Sequence, residues 1–192
     1  MAEIIFREGE IVAAEKHLMT EADMDETLRA IAVKIVKEGN GEAALVGIQS
    51  RGVPLAHWLS RKIGELTKKP PRVGVLDINL YRDDLSEVAA QPVVHKTEIP
   101  FKIDGTAVIL VDDVLYTGRT IRAAMDALID FGRPKFIKLA VLVDRGWREL
   151  PIQADYVGKK VATKATEVVK VMVVEKDGRN EVLTKEDFSK RA

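Results

Sequence analysis

Apolar residues recur at helical spacing after Thr20, with Met24, Leu28, Ile31, Ile35 and Val36 on one stripe. Thr20 followed by Asp23 is a capping-box start, and Gly39-Asn40-Gly41 is a stop signal. The spacing predicts a helix over roughly 21–38. Residues 43–48 form a short unbroken apolar run, read as a buried strand. Pro54 suits the first turn of a second helix. That helix runs to about Leu66, where Lys68-Lys69-Pro70-Pro71 breaks it. A strand follows over 73–80. Residues 81–100 are polar and carry two prolines; a loop this long inside a compact domain usually serves function. Residues 108–111 are again apolar and strand-like. A helix is predicted from about Gly118 to Phe131, with Ile121, Met125, Leu128 and Ile129 on its stripe, and Gly132 and Pro134 ending it. Another strand spans 136–143. Beyond Asp144 the pattern changes to short strands at 156–161 and 168–174, read as a small cap. Lys176-Asp177-Gly178-Arg179 reads as a hairpin turn. The segment LTKEDFSKRA carries little pattern. Strands alternating with helices predict an α/β domain over 1–192, its parallel sheet covered on both faces.

Composition narrows the class without deciding the chemistry. The 192 residues suit one domain with an ample core. Thirty basic side chains balance thirty acidic ones, which argues against a constitutive nucleic-acid coat but leaves room for a local basic patch. The absence of cysteine removes disulfides, thiolate catalysis and Cys-ligated zinc. No apolar run is long enough to span a bilayer, and the start MAEIIFREGE is charged. Neither a membrane segment nor a signal peptide is expected, and a cytoplasmic location is.

The chemistry concentrates in VILVDDVLYTGRT, residues 108–120. Four aliphatic residues run into two adjacent carboxylates, Asp112 and Asp113, and then into Thr117-Gly118-Arg119-Thr120. Ligands of open parallel sheets bind beyond the carboxyl ends of strands. Gly118 permits close backbone approach there. The N–H groups at a helix start and the threonine hydroxyls favour an anion such as phosphate. The loop is neither a P-loop nor a dinucleotide fingerprint, because both glycine patterns are absent. Carboxylates beside a phosphate cradle suit vicinal ribose hydroxyls and a nearby magnesium through its water shell. The stretch reads as a 5-phosphoribose grip. The structural alternative is an acid pair acting only as turn and helix cap, which does not account for the ordered run of strand, acids and Thr-Gly-x-Thr.

That stretch resembles the phosphoribosyl pyrophosphate (PRPP) signature of type I phosphoribosyltransferases. DINLYRDDL, GRTIRAAMDALIDFGRP and LAVLVDRGWRELPIQADYVGK resemble one family in particular, PyrR, whose members join pyrimidine-operon attenuation to uracil phosphoribosyltransferase activity. The similarity runs from about Leu45 to Val174. It implies the type I phosphoribosyltransferase fold, a doubly wound, mainly parallel sheet with a small hood at roughly 144–174. It implies that Asp112 and Asp113 bind the ribose hydroxyls of PRPP. Val114, Leu115, Tyr116, Thr117, Gly118, Arg119 and Thr120 would continue that site around the 5-phosphate. Ser50, Arg51 and Gly52 would form the pyrophosphate loop; Arg51 alone reads equally as a surface arginine. Tyr81, Arg82, Asp83 and Asp84 would open a flexible catalytic loop, with Arg82 reaching the pyrophosphate on closure; alone they read as a solvated hinge. Asp144, Arg145 and Gly146 would belong to the hood over the base. Arg82, Asp113 and Arg51 are the implied catalytic set. The implied reaction is uracil plus PRPP giving UMP plus pyrophosphate with Mg2+, no side chain ligating the metal directly, in a homo-oligomer (dimer or tetramer). The alternatives are a UMP- or PRPP-sensing RNA-binding attenuator with little catalysis, and a transferase for another base. The residues identify no general base, and His17, His57 and His95 form no metal spacing.

The chain departs from the family pattern on the side implied to bind pyrimidine-operon mRNA. Asp25 and Glu26 stand where arginines are usual, and Val33 where a histidine is. Trp147 replaces a histidine and Gln153 an arginine, and KKVATKATE follows Gly158. Arg29, Arg148 and Lys159, with Lys160 and Lys164, remain as a smaller basic patch. Acids oppose phosphate contacts, so RNA attenuation is expected to be weakened. Trp147 is read as packing or a subunit contact in preference to base stacking.

Overall fold

A computed structural model describes residues 5–7, 10–12, 15–81 and 96–187. Strands β1 (Ile5–Arg7) and β2 (Glu10–Val12) form an antiparallel ribbon. Strand β3 (Lys16–Met19) leads into helix α1 (Glu21–Lys37). The capping box is present: Asp23 N–H donates to Thr20 Oγ1 at 3.3 Å, and Thr20 N–H to the Asp23 carboxylate at 2.8 Å. The predicted stripe is the buried one, Met24, Leu28, Ile31 and Ile35.

Strand β4 (Ala44–Ile48) is buried throughout, and helix α2 (Gly52–Thr67) follows it. Strand β5 (Val73–Leu76) is shorter than predicted. The Asp77 carboxylate accepts the Asn79 N–H at 2.9 Å and turns the chain into a 3-10 turn at Asn79–Tyr81. Such a local bond competes with the ladder. Strand β6 (Ala107–Leu115) is longer than predicted, because its ladder with the next strand continues through the acids.

Helix α3 (Arg119–Ile129) buries Ile121, Ala123, Ala124, Ala127 and Leu128. Ile129 lies off that face and is exposed, which corrects the predicted stripe; three alanines carry the close contact instead. Strand β7 (Phe136–Asp144) precedes strand β8 (Tyr156–Lys160). The residues 156–160 run parallel to β7 as a fifth strand of the main sheet rather than in a cap. Asp155 sets that register by exchanging hydrogen bonds with the Leu139 backbone at 2.9 and 3.0 Å. Strand β9 (Glu167–Met172), the short helix α4 (Val174–Asp177) and strand β10 (Glu181–Glu186) complete the described chain.

The main sheet is all parallel in the order β5-β4-β6-β7-β8. Its faces alternate as pleating requires. Leu45, Ile109, Val111, Ala140 and Leu142 pack with α1 and α2. Val46, Ile48, Val108, Leu110 and Val141 pack with α3. Strands β3, β10 and β9 form a small antiparallel sheet, and its Met19, Val169, Val171 and Val182 join the α1–α2 core. Connections from β4 run outward to β5 and then back across to β6. The topological switch point therefore lies between β4 and β6, where α/β sheets place their ligands. Among the described residues no helix is long and apolar enough to cross a membrane.

Candidate active site

Two strand ends meet at the switch point. After β4, the chain passes through a cis peptide between Gln49 and Ser50 and reaches Arg51 at the start of α2. Gly52 is pressed onto β6: a Cβ there would stand 2.3 Å from the Val111 carbonyl oxygen, so only hydrogen fits. That contact seats the Ser50-Arg51-Gly52 loop directly beside the acid pair.

Asp112 is buried, and its carboxylate accepts the Asp113 N–H at 2.9 Å. Asp113 is partly buried and accepts the Val114 N–H at 2.8 Å. Burial raises the Asp113 pKa above the ordinary carboxylate value; the Val114 and Asp112 hydrogen bonds and the positive Arg51 act in the opposite sense without reversing it. The acids thus sit at the end of a strand that still pairs with β7 on either side of them.

Beyond Tyr116, Gly118 adopts a left-handed conformation with φ of 95° and packs against Ile152 and Leu150. The Thr117 carbonyl accepts the Glu149 and Leu150 N–H groups at 2.9 and 3.1 Å, and Thr117 Oγ1 accepts the Arg119 N–H at 3.3 Å. The loop is thereby fixed before α3 begins. The first-turn N–H groups of α3 have no intrahelical partners, and the N-cap Gly118 has no side chain to cap them. Arg119 opens α3 within the loop. Its Nε lies 2.7 Å from Glu149, an exposed ion pair that draws the guanidinium toward the 145–155 connection.

The residues expected in the hood interlock with this loop. Asp144 accepts the Gly146 N–H at 2.9 Å and pairs with Arg148 at 2.7 Å. Burial pushes the Asp144 carboxyl up, but Arg148, the Gly146 N–H and Lys160 outweigh it and hold the pKa below the ordinary value. Arg145 is buried, stacked 4.1 Å from the Tyr116 ring centroid, and bonded to Thr163 Oγ1 and the Lys164 carbonyl. A cavity of about 630 Å³ opens among Asp144, Arg145, Gly146, Arg148, Gln153 and Lys160.

The residues expected on the RNA face differ in their surroundings. Arg29 and Lys159 are exposed, but the Lys159 ammonium donates to the Leu18 carbonyl at 2.8 Å. The Arg148 guanidinium is partly buried and turned toward the backbone around Tyr116. Besides Asp144, its guanidinium donates to the carbonyls of Tyr116 at 2.7 Å, Ile152 at 3.0 Å and Gly146 at 3.1 Å. Asp25 is bonded to Trp58 and Lys62. Trp147 is half exposed at φ 63° and donates its indole N–H to the Thr163 carbonyl at 2.9 Å. Of the expected flexible loop, Tyr81 is tied by its hydroxyl to Asp130, whereas Arg82, Asp83 and Asp84 lie outside the described residues, as does His95.

One partner was missed altogether. Asp177 grips Arg51 through two hydrogen bonds, although 126 positions separate them. Its only signal in the sequence was an Asp-Gly turn, which carries no information about so distant a contact.

Residues 21–176 match the phosphoribosyl transferase domain. A Thermus thermophilus relative, bifunctional protein PyrR, is 59% identical over 167 residues, covering 86% of this chain and 92% of that protein. The chain belongs to the PyrR family of phosphoribosyltransferases. A PyrR of Pelotomaculum thermopropionicum is 53% identical over 175 residues, covering 90% of this chain and 97% of its own. A solved hypoxanthine phosphoribosyltransferase of Trypanosoma cruzi superposes with a TM-score of 0.70 at 19% identity, covering 92% of this chain and 94% of that one. A hypoxanthine-guanine phosphoribosyltransferase of Bacillus anthracis gives 0.66 at 20% identity, covering 92% and 99%. At those identities the structures show the shared type I fold alone. The phosphoribosyl transferase domain match begins after β3 and ends before β10, so two strands of the small sheet lie outside it.

Proposed function

We propose that this PyrR-family chain transfers the 5-phosphoribosyl group of PRPP to uracil, giving UMP and diphosphate. The observation that carries this reading is the Asp112–Asp113 pair, held at the switch point beside the left-handed Gly118 loop. Fixed carboxylate oxygens there suit the two ribose hydroxyls. Loop N–H groups at the start of α3 suit the 5-phosphate. Arg51, seated by Gly52 next to the acids, suits the diphosphate. The cavity under Asp144 and Lys160 is the proposed place of the base.

Bond cleavage at the ribose C1 develops positive charge on the sugar and negative charge on the departing diphosphate. The acid pair lies on the sugar side and Arg51 on the diphosphate side. Both are fixed before reaction, so they stabilise the separating charge without reorganising. Arg82 is proposed as a second cation on the diphosphate. Among the described residues no three acidic or histidine side chains converge on a metal. The Asp112 and Asp113 oxygens are the hard donors that fit magnesium carried on the substrate and reached through water. When bound, magnesium neutralises diphosphate charge.

Initial rates with PRPP and magnesium across uracil, orotate, hypoxanthine, guanine and xanthine test this. Turnover with uracil is expected; turnover with only another base, or with none, overturns it. A homo-oligomer, dimer or tetramer, is proposed alongside, and a monomeric mass by light scattering would contradict it. We further propose that RNA attenuation is weakened, because Arg148 is committed to the loop carbonyls and Asp144. Tight, UMP-enhanced binding of a pyrimidine-operon leader hairpin at physiological salt would refute that and favour the attenuator reading.

A further inference from the structure

Arg51 is fixed at its backbone by the Gly52 contact with β6, but its long side chain needs a separate restraint. Asp177 supplies one. Arg51 Nη2 lies 2.8 Å from Asp177 Oδ1 and Nε lies 3.1 Å from Oδ2. Asp177 is well covered, with its side chain 13% exposed. It is itself held in place: Oδ2 accepts the Val173 N–H at 3.0 Å, and the Asp177 N–H donates to the Val173 carbonyl at 2.7 Å. The α4 turn is therefore a rigid mount, tied through β9 and β10 into the core. Arg51 also feels the charge of Asp113, and its Gly52 neighbour is packed against β6 at Val111 and Asp112.

A guanidinium carries five N–H donors in a fixed fork. Asp177 takes the Nε–H and one Nη2–H along one edge. The Nη1 hydrogens and the other Nη2–H lie along a different edge, and two parallel donors of that kind match a phosphate oxygen pair. We propose that Asp177 is a positioning residue for diphosphate recognition, holding Arg51 by one edge so that its other edge meets the diphosphate of PRPP. The role rests on the transferase reading above. Pre-ordering the side chain removes a cost the substrate would otherwise bear on binding.

Asp177→Asn is the informative change. Its remaining carbonyl oxygen still caps the Val173 N–H, while its amide sets a donor against Arg51 Nη2. Initial rates at varied PRPP, and calorimetric titration of inorganic diphosphate with magnesium, are measured on the intact chain, Asp177→Asn, Arg51→Ala and the double variant. The expected result is an increase of about 10-fold in PRPP KM and diphosphate Kd, with uracil KM and Tm nearly unchanged. In the Arg51→Ala background, Asp177→Asn should add nothing. Unchanged or tighter diphosphate binding in Asp177→Asn overturns the proposal, the tighter case marking Asp177 as a competitor for Arg51. So does an equal effect in the Arg51→Ala background, or an Asp177→Asn chain that fails to fold when Arg51→Ala folds. A wild-type chain that binds neither PRPP nor diphosphate overturns the transferase reading, and the positioning role with it.

Discussion

Asp113 shows how a single residue carries both a cost and a role. Burial raises its pKa from the ordinary 3.8. Between that value and the raised one, the folded chain keeps a proton that the unfolded chain has released, so this group's contribution to stability falls as pH rises through that window. Asp113→Asn removes the charge and keeps an oxygen for the Val114 N–H. At neutral pH its Tm should match or exceed that of the parent by differential scanning calorimetry. Turnover should fall about 100-fold or more, since a fixed charge facing the developing sugar cation is lost. Unchanged kinetics would place the ribose grip elsewhere. Asp144 has the opposite sign. Its lowered pKa stabilises the fold above the ordinary 3.8, and that contribution is lost as pH falls through the lowered value.

At the scale of elements, the phosphate loop depends on what packs over it. Gly118 combines a φ of 95° with only 3.3 Å between an added Cβ and Ile152. Gly118→Ala should cost about 1–2 kcal/mol from the left-handed backbone. It should raise PRPP KM with uracil KM unchanged, as steady-state kinetics would show. Arg148 ties β7 to the same loop through Asp144 and the Tyr116 carbonyl. Arg148→Ala leaves a partly buried carboxylate without its cation and should cost about 3 kcal/mol in urea unfolding. It should also move the acid-unfolding midpoint upward, because Asp144 then titrates nearer its ordinary value. Loss of less than about 1 kcal/mol would mean the ion pair is no clasp.

For the whole molecule, the small sheet is the part that ties distant segments together. β3 comes early in the chain and β10 late, yet both pack against the α1–α2 layer, and Val182 is fully buried there. Val182→Ala should lower unfolding free energy by about 2 kcal/mol. Because α4 hangs from the same sheet, the variant should also weaken PRPP binding; loss of stability with PRPP KM intact would show that the sheet and the site are uncoupled.

Apolar spacing and apolar runs, with Pro54 and the Lys68-to-Pro71 breaker bounding α2, located α1, α2 and α3 and four strands of the parallel sheet, because each element buries a face and its apolar residues record that burial. The capping box at Thr20 and the hydrogen bonds of the acid pair are local, since Thr20 pairs with Asp23, and Asp112 and Asp113 each accept the next residue's N–H. Other features are not. Asp155 on the Leu139 backbone, which makes β8 a sheet strand, joins positions 16 apart. Arg148 on Tyr116 spans 32, and Asp177 on Arg51 spans 126. The residue types at those positions allow exposed loops as readily as buried partners. Local pattern decides which segments become helix and strand, and which loop carries the acids. Only the packed chain decides where each long charged side chain ends, because arginine and aspartate take their partners from whatever the fold brings within hydrogen-bonding reach.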